Sequence, residues 1–297
     1  MINETTHCVN IDKIKRRYSS NSRLSHASNI LVKENERELN RLTSSQSAAL
    51  EAIVSQYVKY IASMFSYNGF TEDIIRKRVE LLNEYYNFIH FNGYDNTFSS
   101  QGKFRSTILE EFMYILFSDY VEHLKSTHRD INDVIHCGSA KAYTNLYFSS
   151  PRFREFVSSP SIEINVKDQD FAIYRDIRIV IEGVEKVAKL PVIAIENKTY
   201  LDKTMLDSVI ATAEKIKQGF PYARFAVVAE NYDVSLDVDP VYSRIDQIYV
   251  LRKCKRKDQW QDIDANIVVR MFKETQAHIE RPWSDIASKM RNEGVIL

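Results

Sequence analysis

The sequence is poor in glycine and cysteine and contains no long apolar run, and each shortage excludes a class of protein. Only 7 of the 297 residues are glycine, and none forms the glycine-rich loop with which nucleotide-driven enzymes cradle phosphates. The three cysteines, Cys8, Cys137 and Cys254, are too few and too scattered for a disulfide framework or a zinc cluster. Since no stretch of about 18 apolar residues occurs, the sequence predicts no membrane-spanning helix.

The sequence also lacks an excess of either charge, because 40 basic side chains balance 40 acidic ones. Any contact with a polyanion must therefore come from local basic patches rather than from a chain-wide field. The N-terminal segment has no apolar signal core. We expect an intracellular, cytoplasmic protein in a reducing compartment, with no membrane partner.

Proline is absent from the first 150 residues, since Pro151 is the first of six. Helical periodicity dominates that part and predicts helices over 44–66, 71–90 and 104–124. Residues 1–40 are polar, and we expect them to form a loose arm or short helices. The arm is locally basic through Lys13, Lys15, Arg16 and Arg17. We therefore predict an N-terminal helical region over 1–100, for gripping a ligand or a partner, and a second domain over 101–297.

After Pro151 the periodicity becomes that of strands. Apolar or alternating runs predict a helix over 202–218 and strands over 161–166, 170–183, 191–198, 224–230 and 247–253. The order of three strands, a helix and a further strand fits a meander followed by one parallel crossover. The predicted fold class is α/β, with a mixed central sheet flanked by helices.

The apolar strand at 191–198 ends in charge, at Glu196-Asn197-Lys198. Side chains alternate across a strand, so Glu196 and Lys198 point to the same face. The simplest interpretation is a strand that leaves the core. Asp170 opens the preceding strand, however, and pairing of the two strands would place it beside Glu196. Two carboxylates on rigid strands suit a hard divalent cation such as Mg²⁺ that keeps several waters.

The implied chemistry is metal-dependent hydrolysis of a phosphodiester. Lys198 would orient or help deprotonate the attacking water, or neutralise charge in the transition state. A lysine beside a metal can have a lowered pKa, which would suit proton transfer. Asp168 competes with Asp170 for the first carboxylate position, and we prefer Asp170 because the apolar pattern begins directly after it.

Asp170 followed by Glu196-x-Lys198 on adjacent strands resembles the PD-(D/E)XK nuclease superfamily, whose restriction endonuclease-like core has the same element order. Gln169 stands where the name of the motif has proline. Longer segments are similar to one branch, the two-subunit type II restriction endonucleases of the BbvCI kind, which cut asymmetric seven-base sites. These segments are KFRSTILEEF (103–112), KDQDFAI (167–173) and IAIENKTYLDKTML (193–206).

The resemblance implies a bacterial, Mg²⁺-dependent enzyme that cuts double-stranded DNA, with one strand cut by each of two related subunits. It also implies a cognate DNA methyltransferase in the same system, not bound to this chain. Members often carry a further catalytic glutamate on the core helix, and here Glu110 is favoured over Glu111. Five basic residues are candidates for phosphate contact, namely Lys203, Arg252, Lys253, Lys255 and Arg256.

Two other interpretations stay open at this point. The same core serves nucleases of repair and recombination, and genomic adjacency to a DNA methyltransferase would separate these from a restriction enzyme. A catalytically inactive domain could also serve only to bind DNA. The presence of Asp170, Glu196 and Lys198 together argues against that second interpretation. The recognised bases, and whether the partner is a second gene product or a second copy, do not follow from the sequence.

Overall fold

The computed structural model describes residues 23–98, 103–128, 134–181, 183–283 and 285–296. The basic positions 13, 15, 16 and 17 of the expected arm lie outside these ranges. Within the ranges, no helix combines the length and hydrophobicity that a bilayer crossing requires.

Four helices precede the first strand. They are α1 (Ser25–Glu38), α2 (Ser44–Met64), α3 (Glu72–Phe91) and α4 (Lys103–Thr127). Thr43 caps α2 through a capping box with Gln46, which satisfies backbone N–H groups that the helix start leaves without partners. Of the two alternatives expected for residues 1–40, a loose arm or short helices, the described part forms the helix α1, and Ala27 and Ile30 of this helix are buried in the core.

The remaining elements build one sheet and the helices around it. They are β1 (Ile135–Ser149), α5 (Phe153–Ser158), β2 (Ser161–Ile181), β3 (Val184–Leu201), α6 (Lys203–Gly219), β4 (Arg224–Tyr232), β5 (Gln247–Val250), α7 (Ala265–Glu280) and α8 (Ile286–Ser288), with short 3-10 turns at Tyr94–Asn96 and Pro240–Tyr242 and a π turn at Lys289–Glu293. The strand order is β1-β2-β3-β4-β5. β1, β2 and β3 pair antiparallel, whereas β3, β4 and β5 pair parallel. The mixed α/β sheet predicted from the sequence is confirmed.

The predicted strands differ from the observed ones in two places. The expected strands 161–166 and 170–183 are parts of the single strand β2, and the first strand of the meander is β1, which was not predicted. The buried positions of β1 hold small or polar residues, namely Cys137, Gly138, Ala140, Ala142 and Thr144. Hydrophobic periodicity does not register such residues, because they contribute little apolar area.

Each face of the sheet has its own apolar core. On one face, Ile193 and Ile195 of β3 pack in a cluster with α1 to α4 and α7. On the other face, Ala194 packs in a cluster with α6. The central segment 193–195 of β3 is therefore buried from both sides, which explains the continuous apolar sequence there. The N-terminal helices share the first of these cores with the sheet.

The end of α6 lies directly against the backbone of β1, and Gly219 makes this approach possible. A Cβ atom at Gly219 would stand 2.5 Å from the carbonyl oxygen of Thr144. No real Cβ comes that close to a backbone atom, so a larger residue must displace the helix end or the strand.

We expect Gly219→Ala to lower the free energy of unfolding by about 1–3 kcal/mol, because overpacking against a backbone cannot relax by side-chain rotation. Denaturant unfolding measures the change. Gln218→Ala, at an exposed neighbouring position, is the matched control and should change stability by less than about 0.5 kcal/mol. Equal stability of the two variants would contradict the close approach of α6 to β1.

Candidate active site

Asp170 and Glu196 stand side by side where β2 and β3 run together. Phe171 pairs with Ile195 in the antiparallel register, so the next pair along the two strands is Asp170 and Glu196. Asp170 Oδ2 also accepts a hydrogen bond from the backbone N–H of Asn197 at 2.7 Å. The carboxylate of β2 is thus attached to the strand that carries the other carboxylate.

A β-bulge in β2 accompanies this arrangement. Gly138 of β1 pairs with Ala172 and Ala140 pairs with Gln169, so Asp170 and Phe171 together lie opposite the single residue Ser139. Such a bulge inserts one residue and changes the direction of the strand and its side chains locally. The bulge therefore sits at the residue that carries the first carboxylate.

Lys198 lies next to Glu196 on the same face of β3. Its ammonium Nζ is 2.9 Å from Glu196 Oε2. Glu196 is only 8% exposed, whereas Lys198 is half-buried. The three side chains that the sequence selected, Asp170, Glu196 and Lys198, therefore come together at one place on the sheet.

The charges at this place act strongly on one another. Burial, and after it the negative charge of Glu196, raise the pKa of Asp170 to about 6. The charge of Lys198 and the N–H of Asn197 oppose that rise. Two adjacent carboxylates repel each other when both are ionised, and a nearby positive charge reduces that repulsion.

The pKa of Lys198 is raised, whereas a lowered pKa was expected for a lysine beside a metal. Burial alone would lower it, but Glu196, Asp170 and Glu110 together hold the pKa of this ammonium above its ordinary value. The reason is that three negative side chains stabilise the charged form of one lysine.

The two glutamates of α4 face different surroundings. Glu110 lies near enough to Lys198 for its charge to raise the pKa of that lysine. Glu111 is buried at the contact of α4 with α1 and α2, where it accepts hydrogen bonds from the Ala27 N–H at 2.9 Å and the Tyr57 hydroxyl at 2.8 Å. Burial raises the pKa of Glu111 to about 7. Glu110 is thus the one near the carboxylate pair.

Asp168, the competitor for the first carboxylate, is exposed and pairs with Lys141 on β1. Between it and Asp170, the side chain of Gln169 is buried. The structure accordingly places Asp170, and not Asp168, next to Glu196.

The donor set fits a hard divalent cation. Asp170 and Glu196 offer carboxylate oxygens, and a cation between them would offset both the burial and the repulsion by Glu196 that raise the pKa of Asp170. Mg²⁺ prefers oxygen ligands and commonly takes one or two carboxylates, leaving the other positions to water and phosphate. Within the described residues, no group of three or more His, Cys, Asp or Glu side chains is arranged as a complete metal site.

Of the five basic candidates, Arg252 is misplaced for phosphate contact, and this corrects the sequence-based interpretation. Arg252 is 1% exposed, and its Nε donates to Glu230 at 3.0 Å. Its guanidinium also lies 3.8 Å from the centre of the Trp260 ring. A buried, paired arginine has a structural role and is not available to a ligand at the surface.

The other four basic candidates lie at or near the surface. Lys203 forms an exposed ion pair with Asp207 at 3.5 Å within α6. Lys253 is exposed and pairs with Asp264. Lys255 is half-buried. Arg256 is exposed over the ring of Tyr200, 3.9 Å from its centre.

Sequence reasoning missed the buried partner of Arg252. Glu230, at the end of β4, is fully buried and also accepts from Arg105 Nη2 at 2.8 Å. It thereby joins α4 to the segment after β5. A signal was present, because the apolar run 225–229 is followed by a glutamate just as the run 191–195 is.

A family model and a solved structure are similar to this chain. A family model described as Bpu10I restriction endonuclease matches residues 101–281, which is more than half of the chain and includes every residue of the carboxylate and lysine group. No curated protein matches the sequence. Among solved structures, one described as "native BbvCI A2B2 tetramer at low resolution" is similar, with a TM-score of 0.64 and 19% identity over 87% of this chain and 96% of that chain. At this identity the likeness shows the fold.

The different surroundings of Glu110 and Glu111 give a test that needs no activity. Glu111→Ala removes an acceptor that two buried donors use, and each unsatisfied donor costs about 1–3 kcal/mol. We expect a loss of about 2 kcal/mol or more in the free energy of unfolding, measured by urea denaturation. Glu110→Ala, one residue away and half-buried, should lose less than about 1 kcal/mol. The reverse order of the two losses would show that the assignment of the glutamates is wrong.

Proposed function

The chain belongs to the Bpu10I restriction endonuclease family, and from this we propose that it is one subunit of a type II restriction endonuclease that hydrolyses double-stranded DNA with Mg²⁺. One observation carries the proposal. Asp170, Glu196 and Lys198 converge at one place on the sheet, with Lys198 Nζ 2.9 Å from Glu196. This fits better with a cutting enzyme than with a domain that only binds DNA, and the family fits a restriction enzyme better than a repair nuclease.

Asp170 and Glu196 would hold the metal ion. Bound there, Mg²⁺ would supply polarisation of a phosphoryl oxygen and a lowered pKa of coordinated water. The protein's own contribution is to fix the carboxylates. Asp170 is held by the N–H of Asn197 and by the pairing of β2 with β3, and rigid strands position such groups better than loops do.

Lys198 would act on the water and on the phosphate. Glu196 holds its ammonium at one position, from which it can orient the attacking water and donate to an oxygen of the phosphate. A positive group placed beforehand where negative charge develops lowers the barrier without reorganisation. Glu110, on α4, would add a negative group near the same ammonium.

The assembly we propose contains a second, related subunit. The similar BbvCI structure is described as an A2B2 tetramer. A two-fold symmetric homodimer reads palindromic sites, so an asymmetric site calls for two non-identical subunits, each cutting one strand. A cognate DNA methyltransferase in the same system would protect the host DNA in the bacterial cytoplasm. Phosphate contacts would come from Lys203, Lys253, Lys255 and Arg256.

Removal of either carboxylate tests the metal-binding role. We expect Asp170→Ala and Glu196→Ala to abolish cleavage of plasmid DNA in Mg²⁺, while specific DNA binding is retained or tightened because repulsion of the phosphates is relieved. Gel assays of cleavage and of binding measure the two effects. Asp168→Ala, an exposed carboxylate on the same strand, is the matched control and should cut normally. Wild-type cleavage by Asp170→Ala or Glu196→Ala would refute the assignment.

Removal of the lysine tests the assembly. With an intact partner subunit present, Lys198→Ala should nick one defined strand of supercoiled plasmid, because only one of the two active sites is lost. Sequencing of the nicked product identifies the strand. The chain without its partner should be inactive or nick weakly. Full linearisation by this chain alone at a palindromic site would instead demonstrate a homodimer and overturn the two-subunit proposal.

A further inference from the structure

Arg256 is an exposed arginine whose guanidinium is held in place on two sides. Its guanidinium carbon lies 3.9 Å from the centre of the Tyr200 ring. Its Nε is 3.4 Å from Asp233 Oδ2. The side chain is nevertheless 59% exposed. Most surface arginines are free to move. The guanidinium of Arg256, in contrast, faces solvent but is held against a ring and a carboxylate. Binding of a ligand to it therefore costs less conformational entropy.

The backbone around Arg256 is anchored as well. Its N–H donates to Asp233 Oδ1 at 2.9 Å, so Asp233 holds both the main chain and the side chain. Asp233 in turn donates its own N–H to the carbonyl of Leu201 at 2.8 Å. The unit formed by Tyr200, Asp233 and Arg256, here called the arginine platform, is thereby attached to the end of β3.

Tyr200 of the arginine platform lies on β3, the strand that also carries Glu196 and Lys198. Glu196, Lys198 and Tyr200 occupy alternate positions of β3, and alternate side chains of a strand share a face. Two residues of strand span about 6.6 Å, which is roughly twice the rise per nucleotide of one DNA strand. A DNA strand that ran along β3 with its scissile phosphate at Lys198 would bring a neighbouring backbone phosphate within reach of Arg256.

The surroundings favour an anion. Arg256 shares a surface recess of about 370 Å³ with Asp233, Lys255 and Lys257. Three of these four side chains are cationic. The carboxylate of Asp233 is paired with Arg256, so the side chains of the recess carry a net positive charge.

The chemistry selects arginine over lysine at this position. A planar guanidinium stacks on an aromatic ring, gives one edge to a carboxylate and still presents donors that match a phosphate in a bidentate contact. A lysine ammonium can contact a phosphate only as a point charge. Arg252, four residues earlier, also stacks on an aromatic ring. It is buried and paired with Glu230, so it stabilises the interior and does not face solvent.

We propose that the arginine platform is a backbone-phosphate subsite, which holds a phosphate one or two nucleotides from the scissile one and so fixes the register of the DNA on β3. The inference rests on the proposed function, since it takes the phosphates to be those of a DNA duplex. It assigns a role to Tyr200 and Asp233 that composition and motif do not suggest, because neither is itself basic.

The test is DNA binding by the full chain as a function of salt. A fluorescein-labelled 30-base-pair duplex of mixed sequence is titrated at several NaCl concentrations, and log Kd is plotted against log salt. We expect Arg256→Ala to raise Kd about tenfold at low salt and to reduce the slope by about one, which is the effect of one lost phosphate contact. Tyr200→Ala should raise Kd in the same direction, since it frees the guanidinium.

Three further variants separate a phosphate contact from a structural defect. Tyr200→Phe retains the ring and should bind like the wild type. Arg256→Lys keeps the charge but loses the stacking and the fork, so it should raise Kd while nearly preserving the slope. Arg178→Ala removes an exposed positive charge eight positions beyond Asp170 on β2, where its side chain is 78% exposed, and it should leave both values unchanged.

The outcomes are distinguishable. If the wild-type chain fails to bind the duplex at any salt concentration, and fails to cut DNA with its partner, the proposed function is wrong. If the wild type binds but Arg256→Ala and Arg178→Ala have equal Kd and equal slope, the phosphate subsite is refuted and the nuclease proposal stands. Equal loss of binding in Tyr200→Phe and Tyr200→Ala would likewise refute a platform based on the ring.

Discussion

The register between β2 and β3 is the constraint on which this molecule depends. It pairs Phe171 with Ile195, so that the next residues, Asp170 and Glu196, lie close together, although like charges repel and burial raises the cost further. A shift of one residue would send every side chain of a strand to the opposite face. The apolar neighbours of the two carboxylates, Phe171 and Ile195, are both buried in the same core. Packing therefore fixes the register, and the register in turn brings the charged groups together.

Helices pack against both faces of the sheet and hold the candidate site in place. On one side, α4 brings Glu110 near Lys198 while its next residue, Glu111, attaches the helix to α1 and α2. On the other side, α6 packs on β3 through Ala194, and its end lies against β1 at Gly219. β3 is thus held between two layers of helix, and the candidate site residues Glu196 and Lys198 follow directly after its apolar run.

Charged residues in this structure serve two purposes that the sequence does not distinguish. Glu230 with Arg105 and Arg252 forms a buried, paired group that joins distant segments. Buried pairs of this kind stabilise little by themselves, but breaking one leaves an uncompensated charge. Glu196 with Lys198, by contrast, is a charged pair at the edge of the core, where a ligand can reach it. Exposure and partners separate the two kinds, and both depend on the folded chain.

Much of the site was predictable from local pattern, because a strand imposes a period of two. The alternation of Glu196 and Lys198, the start of the apolar run after Asp170, and the order of strands and helix all follow from that period and from chain order. The strand β1 was missed, since its buried positions are small residues such as Ala140 and Ala142. The choice between Glu110 and Glu111, the burial of Arg252 and the stacking of Arg256 on Tyr200 were decided only by tertiary structure. Adjacent residues on a helix, or basic residues in one run, have the same local signal, and only the elements that pack against them make their environments different.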